Sequence, residues 1–164
     1  MSASDALHRF TVEHQAVRGR FVRLGSAWLA LREHAVYPPA VRRLLGEATA
    51  AAALLASTIK FEGELTVQMQ GTGALRMLVA QCTHELQLRA VARFDAARVA
   101  ALEADTAGAT SFLDLVGDGQ LAVTVEAEGG ARYQGIVPLG GGSLAAALEL
   151  YFEGSEQLPT AVAL

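Results

Sequence analysis

The chain has 164 residues, of which 52% are hydrophobic, and it carries a formal net charge of −4 at neutral pH. This length fits one domain, and the most continuous apolar stretch, residues 48–56, is much shorter than the roughly 20 residues that cross a bilayer. The single cysteine, Cys82, cannot form an internal disulfide, and the first residues contain no apolar signal segment. The sequence therefore predicts a cytoplasmic protein with no membrane partner.

The charges are unevenly distributed along the chain. Residues 1–43 contain seven arginines and three acidic groups, a net charge of +4, whereas the remaining residues contain six basic and fourteen acidic groups, a net charge of −8. Solvated faces explain such a pattern, and so does contact between the basic part and the acidic C-terminal helix, within one chain or across a dimer. We expect no nucleic-acid partner, because the chain is acidic overall and its arginines are not interleaved with aromatic residues.

Alternation of apolar and polar residues predicts two strands near the N-terminus, at residues 9–14 and 17–24. Gly19 lies within the second strand and is a candidate bulge, because a glycine inside a strand often marks one. A helix follows from Ser26, whose hydroxyl can cap the first turn, to about His34. Two consecutive prolines then end this helix and begin the next.

The next helix is predicted over residues 40–59 and changes character midway. Its first part has a charged face, but from Ala48 it is small or apolar all round, a pattern typical of a buried central helix. A short helix is predicted further on, at residues 111–116. The remaining predicted elements are five strands, separated by glycine turns or polar loops, at residues 64–70, 75–81, 86–94, 120–126 and 132–137.

Strands outnumber crossover helices in this pattern, so the sheets are predicted to be mixed or mainly antiparallel. The fold class is therefore α+β. We expect a single domain, residues 1–164, whose sheets pack around the Ala-rich helical segment 48–59. The sequence shows no internal repeat and no domain boundary.

The last predicted helix runs from a Ser143 cap to about Gln157 and follows a run of three glycines. Leu148 and Phe152 lie on one stripe of this helix, whereas Tyr151 points about 100° away from Phe152. Either both aromatic residues belong to the core, or one of them lies at a rim where it can contact a partner.

No motif in the sequence specifies an enzyme or a metal site. The glycine-rich segments 71–73 and 140–142 lack the lysine that ends a phosphate loop, and Ser143 lacks the final glycine of a nucleophile elbow. Cys82 and His84 form a Cys-x-His pair, but zinc needs about four ligands and the other three histidines are scattered. Cys82 is either an ordinary thiol in a turn or, beside a histidine, an oxidisable one. We expect no cofactor and no catalytic residue.

Several blocks of the sequence, taken in order, resemble the core domain of the bacterial redox-regulated chaperone family, heat-shock protein 33. The blocks are LHRFTVEHQAVRGRFVRL (7–24), YPPAVRRLLGEATAAAALLASTIKFEGELTVQMQG (37–71), LRAVARF (88–94) and YQGIVPLGGGSLAAALELYFEGSEQLPT (133–160). They cover nearly all of the chain and are interrupted mainly by an Ala-rich insertion at residues 96–109. No single block is a catalytic signature, so the resemblance depends on the ordered set.

The resemblance implies a holdase, a chaperone that binds unfolding proteins without ATP and prevents their aggregation during oxidative or heat stress. It also implies a homodimer in which terminal elements can be exchanged, and it makes Leu148, Tyr151 and Phe152 candidates for a client or dimer surface. Family members continue into a four-cysteine module that holds zinc when reduced, and a chain with one cysteine lacks this redox switch. A non-redox interaction module with the same fold and a small hydrolase remain as alternatives.

Overall fold

The computed structural model describes residues 4–58, 60 and 62–164. Its elements in chain order are β1 (Ala6–Thr11), β2 (Arg18–Arg23), α1 (Ser26–Glu33), α2 (Pro39–Ala56), β3 (Gly63–Gly71), β4 (Leu75–Thr83), β5 (Leu88–Phe94), α3 (Ala96–Asp105), α4 (Phe112–Val116), β6 (Gly119–Ala127), β7 (Arg132–Pro138), α5 (Leu144–Tyr151) and a π-helical turn (Phe152–Glu156). No helix within the described ranges is both long and apolar enough to span a membrane.

The strands form two antiparallel sheets. One is the hairpin of β1 and β2, and the other has five strands in the order β5-β4-β3-β6-β7. β3 is therefore central, and both of its neighbours run antiparallel to it. This arrangement confirms the predicted α+β class with mainly antiparallel sheets.

α2 is the buried centre of the fold. Ala48, Ala51 and Ala52 are fully buried, and the helix contacts β3, β4 and β5. Small side chains along this helix allow the sheet to approach it closely. The one polar side chain in residues 48–56, Thr49, is also buried, and its hydroxyl donates a hydrogen bond to the Leu45 carbonyl at 2.6 Å. The prediction of a buried Ala-rich helix is thus confirmed.

α2 ends at Ala56, earlier than predicted. The hydroxyls of Ser57 and Thr58 donate to the carbonyls of Leu54 and Leu55 at 2.6 and 2.7 Å. The Ser57 hydroxyl gives the Leu54 carbonyl a partner at the helix end, and the Leu55 carbonyl accepts the Thr58 N–H as well as its hydroxyl, so the helix can stop here. The predicted last residue of the helix, Ile59, lies outside the described residues.

The N-terminal strands differ in detail from the prediction. β1 begins at Ala6 and ends at Thr11, whereas the predicted strand ran from residue 9 to residue 14. Its predicted last residue, His14, lies in the connecting turn and adopts φ +60°. Gly19 is not a bulge, because it pairs in register with Phe10. A Cβ atom at Gly19 would lie 2.1 Å from the Cζ atom of the Phe10 ring. Glycine is needed here to leave room for that ring.

Two helical segments also depart from the prediction. The Ala-rich insertion contains α3, whose first turn is capped by the Asp95 carboxylate, which accepts a hydrogen bond from the Arg98 N–H at 3.1 Å. At the C-terminus the predicted Ser143 cap is confirmed, since its hydroxyl accepts from the Ala146 N–H at 3.1 Å. The predicted helix 143–157, however, is α-helical only to Tyr151 and finishes as the π-helical turn.

Candidate functional site

The five-stranded sheet has one buried face and one face that points towards solvent. Along β3, Leu65, Val67 and Met69 are buried against the helices, while Thr66 and Gln68 alternate with them on the opposite side and are partly exposed. We call this second side the open face. Alternation along a strand sends successive side chains to opposite faces, so the registers of the ladder determine which residues of the other strands share it.

A row of side chains crosses the middle of the open face on all five strands. The registers place Val91 beside Val79, Val79 beside Gln68, Gln68 beside Ala122 and Ala122 beside Ile136. We call these five residues the central row. Val91 is 46% exposed and Ile136 is 53% exposed at its two ends. With strands about 4.8 Å apart, the row is about 19 Å long, and four of its five side chains are apolar.

Polar side chains that bond to one another lie on one side of the central row. Gln81 donates to Thr66 Oγ1 at 3.1 Å, and Gln134 donates to Thr124 Oγ1 at 2.8 Å. These amides and hydroxyls satisfy one another within the face and remain close to the sheet. The apolar row is therefore accessible from solvent beside a polar border, which is the usual arrangement of a protein-binding patch.

A hollow of about 420 Å³ continues the open face at its β5 edge. Val79 and Val91 line it from the sheet, and Leu31 and His34 line it from the end of α1. The hollow therefore extends the apolar end of the central row towards α1.

A second exposed apolar feature lies on the β1–β2 hairpin. Phe10 and Phe21 are each about half exposed, and His8 stacks on Phe21 with ring centroids 6.4 Å apart. These three rings lie on one side of the hairpin, which pairs with no strand of the larger sheet in the described part of the chain.

The residues predicted from the sequence as a client or dimer surface lie elsewhere. Leu148 and Tyr151 are 2% and 3% exposed, so in this chain they belong to the core rather than to a surface, and their assignment is corrected. Phe152 is partly buried against the core and meets the Tyr151 ring edge to face. Helix periodicity gave the angle between the Tyr151 and Phe152 side chains, but it could not show which neighbouring element covers them. β7 covers Tyr151, because Gly135 has no side chain and leaves space for the ring.

The Tyr151 hydroxyl is part of this packing. It donates to Glu156 Oε1 at 3.1 Å, and burial together with the nearby carboxylate raises the pKa of the phenol above its usual value. Glu156 itself is exposed, so the bond reaches from the buried Tyr151 ring to the surface of the chain.

Cys82 does not lie in a turn, as the sequence suggested, but on the buried side of β4. It is fully buried, and burial, followed by the nearby Glu64 carboxylate, raises the pKa of its thiol to about 11. His84 points away to accept the Gly63 N–H at 3.2 Å. Among the described residues no three His, Cys, Asp or Glu side chains are grouped as metal ligands.

Contact between the basic N-terminal part and the acidic C-terminal helix, one of the two explanations of the charge pattern, is not found among the ion pairs of the described residues. The two ion pairs among the described residues join Arg89 to Glu64 at 2.9 Å and Arg132 to Glu126 at 3.3 Å. Arg132 and Glu126 lie on the neighbouring strands β7 and β6, whereas Arg89 on β5 reaches across β4 to Glu64 on β3. Contact across a dimer stays a prediction.

Taken together, the described residues form a single α+β domain with an open, partly apolar sheet face, an arrangement typical of a protein-interaction domain. The comparisons with known proteins agree with this class. The family model described as Hsp33 protein matches residues 5–164. The chain therefore belongs to the Hsp33 family, as the sequence blocks predicted.

Named relatives and a solved structure give the same result. The 33 kDa chaperonin of Pectobacterium atrosepticum is 43% identical over 158 residues, and that of Shewanella denitrificans is 43% identical over 160 residues. These matches cover 96% and 98% of this chain but 52% and 53% of the relatives, so the chain spans about half their length. The crystal structure of the 33 kDa chaperonin (heat shock protein 33 homolog) of Thermotoga maritima aligns with a TM-score of 0.80 at 29% identity, covering 94% of this chain and 52% of that one.

Sequence reasoning missed the central row. Val91 and Ile136 lie on strands whose alternation is irregular, and they become neighbours of Val79 and Ala122 only through the ladder registers. A register needs the pairing of strands distant in sequence, so the strand patterns alone did not reveal it.

Proposed function

We propose that this chain is an ATP-independent holdase core that binds segments of unfolding proteins on the open face. The observation that carries the proposal is the central row on the open face. Val91 and Ile136, at the two ends of this row, are each about half exposed. Membership of the Hsp33 family and the chaperonin names of its relatives support the same class of function.

The energetics suit temporary binding. Full burial of a valine or isoleucine side chain is worth about 1.5–3 kcal/mol, so a side chain that is already half buried adds about 1 kcal/mol when a client covers it. Micromolar affinity requires about 8 kcal/mol, so several contacts of this size must act together. Binding of this kind draws on apolar surface that an unfolding protein exposes and uses no nucleotide.

We further propose that the chain works in the cytoplasm as a homodimer that involves its C-terminal strand and helix. The opposite net charges of residues 1–43 and of the remainder support this proposal, because the C-terminal glutamates are not joined to N-terminal arginines in the described ion pairs. Light scattering at tens of micromolar protein should give the mass of two chains. A monomer at that concentration would contradict the dimer and leave the holdase proposal standing.

The holdase proposal is tested by the aggregation of citrate synthase at a temperature that unfolds it. Equimolar chain should suppress light scattering equally with and without ATP. Val91→Ser should weaken suppression, whereas Val36→Ser, at a loop residue that is 98% exposed, should not. Unchanged scattering at a molar excess of the wild-type chain would refute the function, and equal effects of the two variants would refute the assignment to the open face.

A further inference from the structure

The two edge strands of the five-stranded sheet, β5 and β7, differ in how far other parts of the chain cover them. At the β5 edge, the Ala92 N–H points away from β4 and donates to the Tyr37 hydroxyl at 3.4 Å. α1 also contacts this strand, and Leu31 and His34 lie next to it. This edge is therefore partly covered, as sheet edges in soluble proteins commonly are.

The opposite edge, β7, has outward backbone groups that no described backbone group pairs with. The Leu139 N–H donates to the Gly119 carbonyl, and the Ala127 N–H donates to the Ala131 carbonyl, both at 2.9 Å. Because hydrogen-bonded and non-bonded pairs alternate along an antiparallel ladder, Arg132, Gln134 and Ile136 direct their N–H and C=O groups away from β6. No described residue forms a backbone hydrogen bond with these outward groups.

Side chains along β7 leave this edge accessible. Arg132, Gln134 and Ile136 are all exposed. Pro138 occupies the next outward position and has no N–H, so the usable edge ends there. At its other end, the Gly129–Gly130 turn returns the chain to β6.

We propose that the β7 edge binds an extended segment of an unfolding protein by adding it to the sheet as a sixth strand. The inference rests on the proposed holdase function and names the conformation in which the client is held. Outward N–H and C=O groups repeat every second residue, about 6.8 Å apart, and this spacing matches an extended backbone. Strand addition depends on main-chain groups, so it accepts many client sequences.

The central row gives the added strand a preferred side-chain pattern. Ile136 is the last residue of that row, and a client side chain placed beside it would lengthen the row by one strand. The next client side chain would point to the other face, so clients with alternating apolar residues fit this edge. Such segments are core strands of folded proteins and become available when those proteins unfold.

A second copy of this chain fits the backbone edge of β7 less well, so the proposed dimer contact is assigned to other surfaces of the C-terminal strand and helix. Two-fold pairing of β7 with itself around Gln134 would place the Arg132 of each copy opposite the Ile136 of the other. The usable edge is only five residues long between the turn and Pro138, so this pairing would bury far less than the roughly 800 Å² per partner of a stable interface.

The test replaces one outward N–H. Gln134→Pro removes a donor that does not bond to β6, and proline is tolerated at outward positions of edge strands, as Pro138 already shows. Gln134→Ala is the matched control, because it also loses the bond to Thr124 but keeps the N–H. The probe is reduced, carboxymethylated α-lactalbumin, a permanently unfolded protein, with binding measured by fluorescence anisotropy.

We expect Gln134→Pro to bind the probe at least tenfold more weakly than Gln134→Ala, with equal far-UV circular dichroism. In the wild-type chain, the probe should also slow hydrogen exchange of the Gln134 and Ile136 amides, a measurement that needs no variant. Equal affinity of the two variants, or no change in the exchange of these amides, would overturn the inference while leaving the holdase function intact. A wild-type chain that does not bind the probe would overturn both. Loss of the dimer in Gln134→Pro with unchanged probe binding would assign the edge to a second copy and overturn the inference.

Discussion

Adding one methyl group at Gly135 should destabilise the chain, because the new atom collides with the ring of Tyr151. A Cβ atom at Gly135 would lie 2.5 Å from Tyr151 Cε2 and 2.8 Å from Ser155 Oγ. The ring is buried and its hydroxyl is bonded to Glu156, so it has little freedom to move aside. Gly135 itself lies in extended β7 without a positive φ, a conformation that alanine also adopts.

The magnitude follows from two opposing effects. Overpacking a buried site costs about 1–3 kcal/mol, whereas exchanging glycine for alanine returns about 0.4–1 kcal/mol through the unfolded chain. Gly135→Ala should therefore lower the free energy of unfolding by about 1–2 kcal/mol. Tyr151→Ala alone should lower it by about 3–5 kcal/mol. In that background the added methyl group enters the space vacated by the ring, so Gly135→Ala should become neutral or stabilising.

Urea unfolding of the wild-type chain, both single variants and the double variant measures this coupling directly. Far-UV circular dichroism gives the free energy of unfolding for each, and similar urea dependences show that the same transition is compared. Gly129→Ala is the control, since its Cβ atom meets nothing within 4 Å and should have little effect. If Gly135→Ala costs the same with and without the Tyr151 ring, the collision is not the cause and the reasoning fails.

Three further predictions concern Cys82, zinc and Ser143. Burial raises the pKa of the Cys82 thiol from its usual 9.0 to about 11. The contribution of the protonated thiol to stability is therefore complete below pH 9 and is lost as the pH rises towards 11. Cys82→Ala should reduce the loss of unfolding free energy at alkaline pH by about 2 kcal/mol. An equal loss in both chains would contradict this. Elemental analysis should find no stoichiometric zinc, and a chelator should leave the midpoint of urea unfolding unchanged, because the described residues contain no cluster of metal ligands. Bound zinc whose removal unfolds the chain would refute this prediction. Ser143→Ala should cost about 1 kcal/mol in urea unfolding through loss of the helix cap, and no change would exclude that role.

The parts of the fold that depend on local chemistry could be predicted from the sequence. The Ser143 cap needs a hydroxyl before a helix, and the burial of Ala48 to Ala56 follows from a helix without a polar face. α3 was missed because its alanines were interpreted as an insertion, although Asp95 supplies a clear cap at its start. The end of α5 was not predicted: the α-helix changes to a π-helical turn after Tyr151, and the bond from the Tyr151 hydroxyl to Glu156 spans that turn.

The candidate site depends on contacts that are distant in sequence, and for that reason it could not be predicted. The apolar pattern of α5 predicts Leu148 and Tyr151 as surface candidates, but it does not show that both are buried or that β7 packs over Tyr151. Val91 and Ile136 are separated by 45 positions, and they share one row because three intervening strands bring them into line. Their exposure follows from the same arrangement, since α2 and α5 pack on the other face.

The central claim, that unfolding proteins bind on the open face, can be tested with a photocrosslinker placed at one position at a time. Val91 on the open face and Leu113 on α4 are 46% and 49% exposed, so p-benzoylphenylalanine at either residue is similarly accessible. Irradiation with heat-unfolding citrate synthase should give crosslinked client from position 91 and little from position 113. Equal crosslinking from the two positions, or crosslinking from position 113 alone, would contradict the assignment of the client surface to the open face.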